Sequence, residues 1–267
     1  MSYSNTYIIG FAAGICVFCS IFVSGSAVAL KERQVKNKIL DRQKNVISVS
    51  GLVEDIRATS PEEVQRLFNE SITPKLINLA TGEVHTEAVT VSCDSGDVII
   101  EPELYDQQRA LRDSCLSGPA PERNNAKLMK VPKFGLVYEV IQDGALSAII
   151  LPIEGKGLWS TLYGFISLEG DAATVRGLTF YQHAETPGLG GEVDNPKWKA
   201  QWAGKDVYGD DGEIAIEVVK GAARNKDHEI DGLSGATLTS RGVSYLVEFW
   251  IGDDGFGQYL ETIRKEG

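Results

Sequence analysis

Ser234, Thr237, Thr239 and Ser240 bring four hydroxyl groups into seven residues, with only Gly235 and Ala236 between the first two. A polar turn, Arg224 to Glu229, precedes them, and Val243, Leu246, Val247 and Trp250 follow at helical spacing. The hydroxyls therefore stand where a helix begins. The first amides of a helix have no partner inside it, and the helix dipole leaves partial positive charge there. Small residues let an anion approach the backbone and hydroxyls add donors, an arrangement suited to phosphate. The same residues also describe an ordinary Ser/Thr cap, which most helices carry. Asp231 reads as a cap for the turn ahead of Ser234 in preference to a Mg2+ ligand.

Two further stretches have the composition of a binding loop. Glu185-Thr186-Pro187-Gly188-Leu189-Gly190-Gly191 packs three glycines and a proline into five positions. Such bare backbone can lie against a flat ring and hydrogen-bond its polar edge, and it equally marks a structural turn. Gly155 to Gly164 contains Trp159, Ser160, Thr161, Leu162 and Tyr163, which read either as an apolar wall beside a ligand or as core packing. Lys220 and Lys226 read either as groups that approach a phosphate or, by default, as solvated surface charges, and His183 either as a neighbour of a ring or, by default, as a structural histidine.

The Ser-Gly-Ala-Thr tetrapeptide, with Asp-Gly-Leu before it and Leu-Thr-Ser after it, resembles the flavinylation motif of the FMN-binding domain family. Together with the two stretches above, in the same order, it is similar to the C-subunit family of Na+-translocating NADH:quinone reductases. The resemblance runs from the N-terminal apolar segment to the C-terminus. It implies covalent FMN in phosphoester linkage to Thr237. It implies flavin contacts from Glu185, Thr186 and Leu189, and a cofactor-binding set completed by Gly190, Trp159, Ser160, Thr161, Ser234, Gly235, Ala236 and Thr239. It further implies an electron-transfer role between an NADH-oxidising, iron–sulfur side and a second flavin in the B-subunit flavoprotein. The implied partners are the other reductase subunits and, during maturation, a flavin transferase. The G subunit of an Rnf-type complex is the related alternative. A flavin-free anchored scaffold on the same fold is the alternative from another class.

Composition excludes several functions. A net charge of −11 does not make a nucleic-acid surface, which needs clustered Lys and Arg. His85, His183 and His228 are far apart with no ligand-spaced partners, so no metal site is expected. No Gly-x-Gly-x-x-Gly follows a strand, so NADH is not expected to bind here, and no acid–base pair or nucleophile constellation appears. Cys16 and Cys19 fall in an apolar run and read as packing. Cys93 and Cys115 lie in polar, turn-rich sequence and read as a possible disulfide or as two free thiols.

The elements that must position these stretches begin with Tyr7 to Leu30, a run without charge. It meets the length of about 20 apolar residues needed to span a bilayer, and it is long for a secretory signal core despite the small residues Ala27-Val28-Ala29. Lys31, Arg33, Lys36 and Lys38 follow it, which by the positive-inside rule puts the body in the cytoplasm. The family resemblance implies the periplasmic side of a bacterial inner membrane, and that is the expectation retained. Lys31 to Val49 continues at helical spacing as a stalk. Ser60-Pro61-Glu62-Glu63 opens a helix that turns Val64, Leu67 and Phe68 inward. Asp94 to Asn125 reads as an irregular connection with room for a short helix. Leu136–Ile141 and Ala145–Pro152 flank Gln142-Asp143-Gly144 as a hairpin, and Gly164–Glu169 and Thr174–Tyr181 flank Gly170-Asp171 as another. Ile214, Ile216 and Val218 alternate as a further strand, and helices close the chain. The expected fold is α+β, a mostly antiparallel sheet with flanking helices after one N-terminal transmembrane helix. The expected parts are a transmembrane anchor (1–30), a stalk and N-terminal α/β part (31–130), and an FMN-binding domain (131–267).

Overall fold

A computed structural model describes residues 4–94 and 96–266; residues 1–3 of the expected anchor and residue 267 of the expected flavin domain lie outside them. The chain divides into two compact units, with the division between Gln43 and Lys44. Helix α1 (Asn5–Ser50) runs unbroken for 46 residues. Its N-terminal part has a mean hydropathy of 2.3 over an 18-residue window, and none of that window is buried by protein. Ile9, Phe11, Phe18 and Phe22 stand exposed there. The helix is long and apolar enough to cross a membrane.

The second unit contains the last turns of α1, where Val46, Ile47, Val49 and Ser50 are buried. Helix α2 (Pro61–Ser71) starts where Ser60, Pro61 and Glu63 predict it, with Ser60 Oγ accepting the amide of Glu63 at 3.2 Å. Six strands follow: β1 (Ile72–Asn78), β2 (Val84–His85), β3 (Phe134–Gln142), β4 (Ala145–Lys156), β5 (Thr161–Glu169) and β6 (Val175–Gln182). They form one sheet in the order β6-β5-β4-β3-β1-β2, with every neighbouring pair antiparallel. Because β1 pairs with β3 along its whole length, residues on both sides of position 130 share this sheet.

Both expected hairpins form. Asp143 and Gly144 take φ of 52° and 78°, a left-handed pair that matches the twist of β3 and β4. In the β5–β6 turn, Asp171 accepts the amides of Ala173 and Thr174 at 2.8 and 2.9 Å. The strand expected at Ile214–Val218 is reduced to Glu217–Val218, which pairs in parallel with Glu229–Ile230. Ile216 is buried, but Ile214 only bridges to Tyr208, so the alternation marks a buried loop edge. The polar stretch after Asp94 is more ordered than its composition suggests. Val89–Val91 pairs with Val98–Ile100, Ser117–Pro119 pairs with Lys130–Pro132, and Cys93 and Cys115 are bonded between these ribbons with their Cα atoms 5.7 Å apart.

Helix α3 (Thr237–Ile251) packs on β4, with Val243, Leu246, Val247 and Trp250 all fully buried. A Cβ at Gly242 would stand 2.4 Å from the carbonyl of Lys156, so the start of α3 rests directly on the end of β4. The Trp250 indole donates to the Glu154 carbonyl at 2.7 Å. Helix α4 (Gly257–Glu266) closes the chain, its Tyr259 hydroxyl donating to buried Glu139 at 2.8 Å.

Candidate functional site

The three stretches singled out in the sequence meet at one side chain. Glu185 follows β6, is 5% exposed, and its carboxylate accepts hydrogen bonds from two of the other segments. Its Oε1 takes the amide of Trp159 at 2.9 Å, the amide of Ser160 at 3.0 Å and the Ser160 hydroxyl at 3.2 Å. Its Oε2 takes the amide of Leu158 at 3.3 Å and the Thr239 hydroxyl at 2.8 Å. One carboxylate thus closes the β4–β5 loop and ties it to the first turn of α3. Burial alone would raise the Glu185 carboxyl. The Thr239 hydroxyl, the Ser160 and Trp159 amides and the Ser160 hydroxyl together outweigh burial and hold it below its ordinary value. It is therefore ionised at neutral pH.

The glycines of the 185–191 loop make this closeness possible. A Cβ on Gly190 would lie 2.6 Å from Thr239 Oγ1 and 2.7 Å from Glu185 Oε2. Gly235 has φ of 71°, and a Cβ there would stand 2.9 Å from Leu189 Cδ2. The loop itself is a tight turn in which the Thr186 carbonyl accepts the amides of Leu189 and Gly191 at 3.1 and 2.9 Å. His183 is fixed beside it, one ring nitrogen 2.8 Å from Asp194 and the other accepting the amide of Glu185 at 3.2 Å.

The four hydroxyls near residue 237 divide into two pairs. Thr239 and Ser240 are buried and spent: Thr239 on Glu185, and Ser240 on the Leu233 amide at 2.9 Å and the Ala236 carbonyl at 3.2 Å. Ser234 and Thr237 are exposed. Neither caps α3. The N-cap position is Ala236, with no side-chain hydrogen bond to the first turn. The simple cap expected from the Ser/Thr run is therefore absent, because the residue at the cap position has no acceptor. Asp231 does not cap the turn before Ser234 either: its carboxylate accepts the amide of Ala223 at 2.7 Å.

Around this helix start lie exposed apolar side chains. Trp159 is 68% exposed and Leu238 55% exposed, with Leu158 and Leu189 also open. Core packing therefore accounts for Leu162, which is fully buried, and not for Trp159. Ser160 is committed internally, its hydroxyl accepting the Ala184 amide at 2.8 Å, and Thr161 closes the loop by pairing with Lys156. Thr186 is exposed. A groove of about 330 Å³ is lined by Thr237, Arg241, Ser244, Tyr245 and Lys220, among others. Lys226 is not among its lining residues. From the sequence Glu185 is legible only as a ligand contact; its bridging role depends on contacts 25 to 54 residues apart, which no local pattern shows. Arg241 is absent from the residues expected from sequence, although its position four residues after Thr237 is a usable signal.

The residues fit FMN on the chemistry of the donor set: an uncapped helix start, an exposed hydroxyl at its first position, bare backbone at Gly235 and apolar surface beside it. Comparison with known proteins points the same way. Residues 157–252 match the FMN-binding domain family. The chain is 45% identical to the C subunit of the Na(+)-translocating NADH-quinone reductase of Pseudomonas aeruginosa, covering 98% of this chain and 97% of that one. It is 41% identical to the corresponding C subunit of Vibrio parahaemolyticus over 97% and 95% of the two chains. Among solved structures, it resembles the crystal structure of Shewanella oneidensis NqrC with a TM-score of 0.74 and 33% identity, covering 86% of this chain and 99% of that chain. The C subunit of the Parabacteroides distasonis reductase matches with a TM-score of 0.64 and 25% identity, over 86% and 96% of the two chains. The chain therefore belongs to the family of C subunits of the Na(+)-translocating NADH-quinone reductase.

Proposed function

We propose that Thr237 carries FMN as a phosphoester and that the chain is a membrane-anchored electron-transfer subunit of a sodium-translocating NADH:quinone reductase. The observation that carries the attachment site is the division of hydroxyls: Thr237 is exposed at the first position of an uncapped helix, while Thr239 and Ser240 are buried and hydrogen-bonded. Bound FMN supplies reversible electron transfer. This chain's part is to hold and surround it. The first turn of α3 favours the negative charge of a phosphodiester by about 0.3–1 kcal/mol. Trp159, Leu189 and Leu238 offer apolar surface to a ring, and the Glu185 clamp keeps their loops at fixed separation. Electrons would arrive from the NADH-oxidising, iron–sulfur side and pass to the flavin of the B-subunit flavoprotein on the way to quinone.

The body is proposed to lie on the periplasmic side of the inner membrane. The Cys93–Cys115 disulfide supports that side, since such bonds persist in oxidising compartments. The basic residues after the apolar stretch of α1 argue the other way, and assembly with other subunits would have to override them. Co-expression with a flavin transferase, followed by in-gel fluorescence of the denatured protein, tests the attachment. Wild type and Thr239→Ala should fluoresce and Thr237→Ala should not. A colourless wild-type band would leave the fold as a flavin-free module, and fluorescence from Thr237→Ala would move the attachment elsewhere.

A further inference from the structure

The groove beside Thr237 holds two cations that the Glu185 clamp does not use. Thr237, Arg241, Ser244 and Tyr245 all line it, and they occupy positions i, i+4, i+7 and i+8 of α3, a single helical stripe. Arg241 stands one turn after Thr237 on the same helical face, where side chains generally lean toward the helix N-terminus. Lys220 lines the same groove from the segment before Gly221. That wall is bare backbone: the amide of Gly232 donates to the Gly221 carbonyl at 2.8 Å, and a Cβ on Gly232 would lie 2.3 Å from the Val219 carbonyl. Among the described residues neither Arg241 nor Lys220 is within ion-pairing distance of a carboxylate. Both are exposed, as is Glu217, the one carboxylate lining the groove. Arg66 and Arg176, by contrast, are each matched to glutamates.

Two unmatched cations lining one groove with Thr237, in a chain of net charge −11, point to an anionic occupant. We propose that Arg241 and Lys220 are the counter-charges for the flavin phosphate at Thr237, and that they draw the anionic flavin nucleotide to that hydroxyl while the bond is made. This rests on the attachment reading. In the loading step with FAD, a bond forms between Thr237 Oγ and the FMN phosphorus, the pyrophosphate P–O bond breaks, AMP leaves, and the threonine proton is released. No electrons change hands. The two residues act as positioning groups: they neutralise charge and do not touch the leaving group.

The test is a time course of flavin incorporation into the full-length detergent-solubilised chain, with flavin transferase and FAD, read by intact mass. Arg241→Gln and Lys220→Gln preserve length and helix tolerance, and thermal melts check the fold. The double variant should load about tenfold more slowly at low salt, the lower end of what electrostatic steering supplies. Added salt should slow the wild type and erase the difference, and Arg241→Lys should recover most of the rate. A double variant that loads at the wild-type rate at low salt overturns the counter-charge assignment. Should the double variant melt early, a wild-type loading rate insensitive to salt overturns it equally. A wild-type chain that takes up no flavin would instead sink the attachment reading itself, so the two failures are distinguishable.

Discussion

Replacing Glu185 with glutamine tests the organisation of the site without changing its volume. The carboxylate accepts five hydrogen bonds, three of them at 2.8 to 3.0 Å, from Trp159, Ser160 and Thr239. Hydrogen bonds to an ionised acceptor contribute about 1.5–3 kcal/mol each and neutral ones about 0.5–1.5 kcal/mol. Glutamine keeps one carbonyl oxygen for the loop amides but turns a donor toward Thr239 and the Leu158 amide. Thr239 can rotate and accept, so that contact survives in reverse, whereas the Leu158 amide at 3.3 Å is left facing a donor. Weakening of three contacts and loss of one comes to about 2–4 kcal/mol. For a body of this size that corresponds to a fall of roughly 5–15 °C in Tm. Hydrogen exchange should accelerate at Trp159, Ser160 and the first turn of α3 before it does in the sheet. The pH dependence has a defined sign. Glu185 is held below its ordinary value, so its contribution is complete above about 4.3, the unperturbed value, and is lost as pH falls through the depressed folded value. Glu185→Gln should lack that acid limb. A change in Tm under about 2 °C, well below the worked range, or exchange unaltered in the 157–160 loop, would refute the clamp.

Other consequences can be checked alongside it. Glu154 is buried with one carboxylate oxygen lacking a partner, and burial pushes it up to about 7. The unfolded chain ionises this group first, so stability should decline as pH rises from about 4.3 to 7 and then level off. Glu154→Gln should remove that slope and gain about 3 kcal/mol at pH 8 in urea titrations. Gly190→Ala places a methyl group 2.6 Å from Thr239 Oγ1, and should cost about 1–3 kcal/mol while lowering flavin loading by the transferase. Removing the Cys93–Cys115 bond, which closes a separation of 22 residues, should cost about 3 kcal/mol in unfolding experiments. In intact spheroplasts, added protease should digest the body and leave only the apolar N-terminal part of α1 protected; a body that resists until the membrane is opened would place it in the cytoplasm.

Much of the fold is legible in the sequence because it rests on local chemistry. Asp143-Gly144 announces its hairpin through left-handed backbone and Gly170-Asp171 through the amides that Asp171 accepts, Ser60 and Pro61 announce α2, and the spacing of Val243, Leu246, Val247 and Trp250 announces α3. The pairing of β1 with β3 is not legible, since Ile72–Asn78 gains its place from a partner some sixty residues away. The Ile214–Val218 alternation has the pattern of a strand, yet only two residues find a neighbour. At the site, the three motif stretches can be found individually, but not the reason they sit together. That reason is one buried carboxylate, and a single glutamate in a Gly-rich loop has the same letters whether it faces a ligand or its own backbone.

The claim most exposed to direct measurement is the bond at Thr237. Intact-mass analysis of the chain purified from its native membrane, followed by peptide mapping, should show a mass increased by one FMN less water. The increment should be confined to the peptide containing Thr237. A chain of bare polypeptide mass, or an increment on any other residue, would contradict the account.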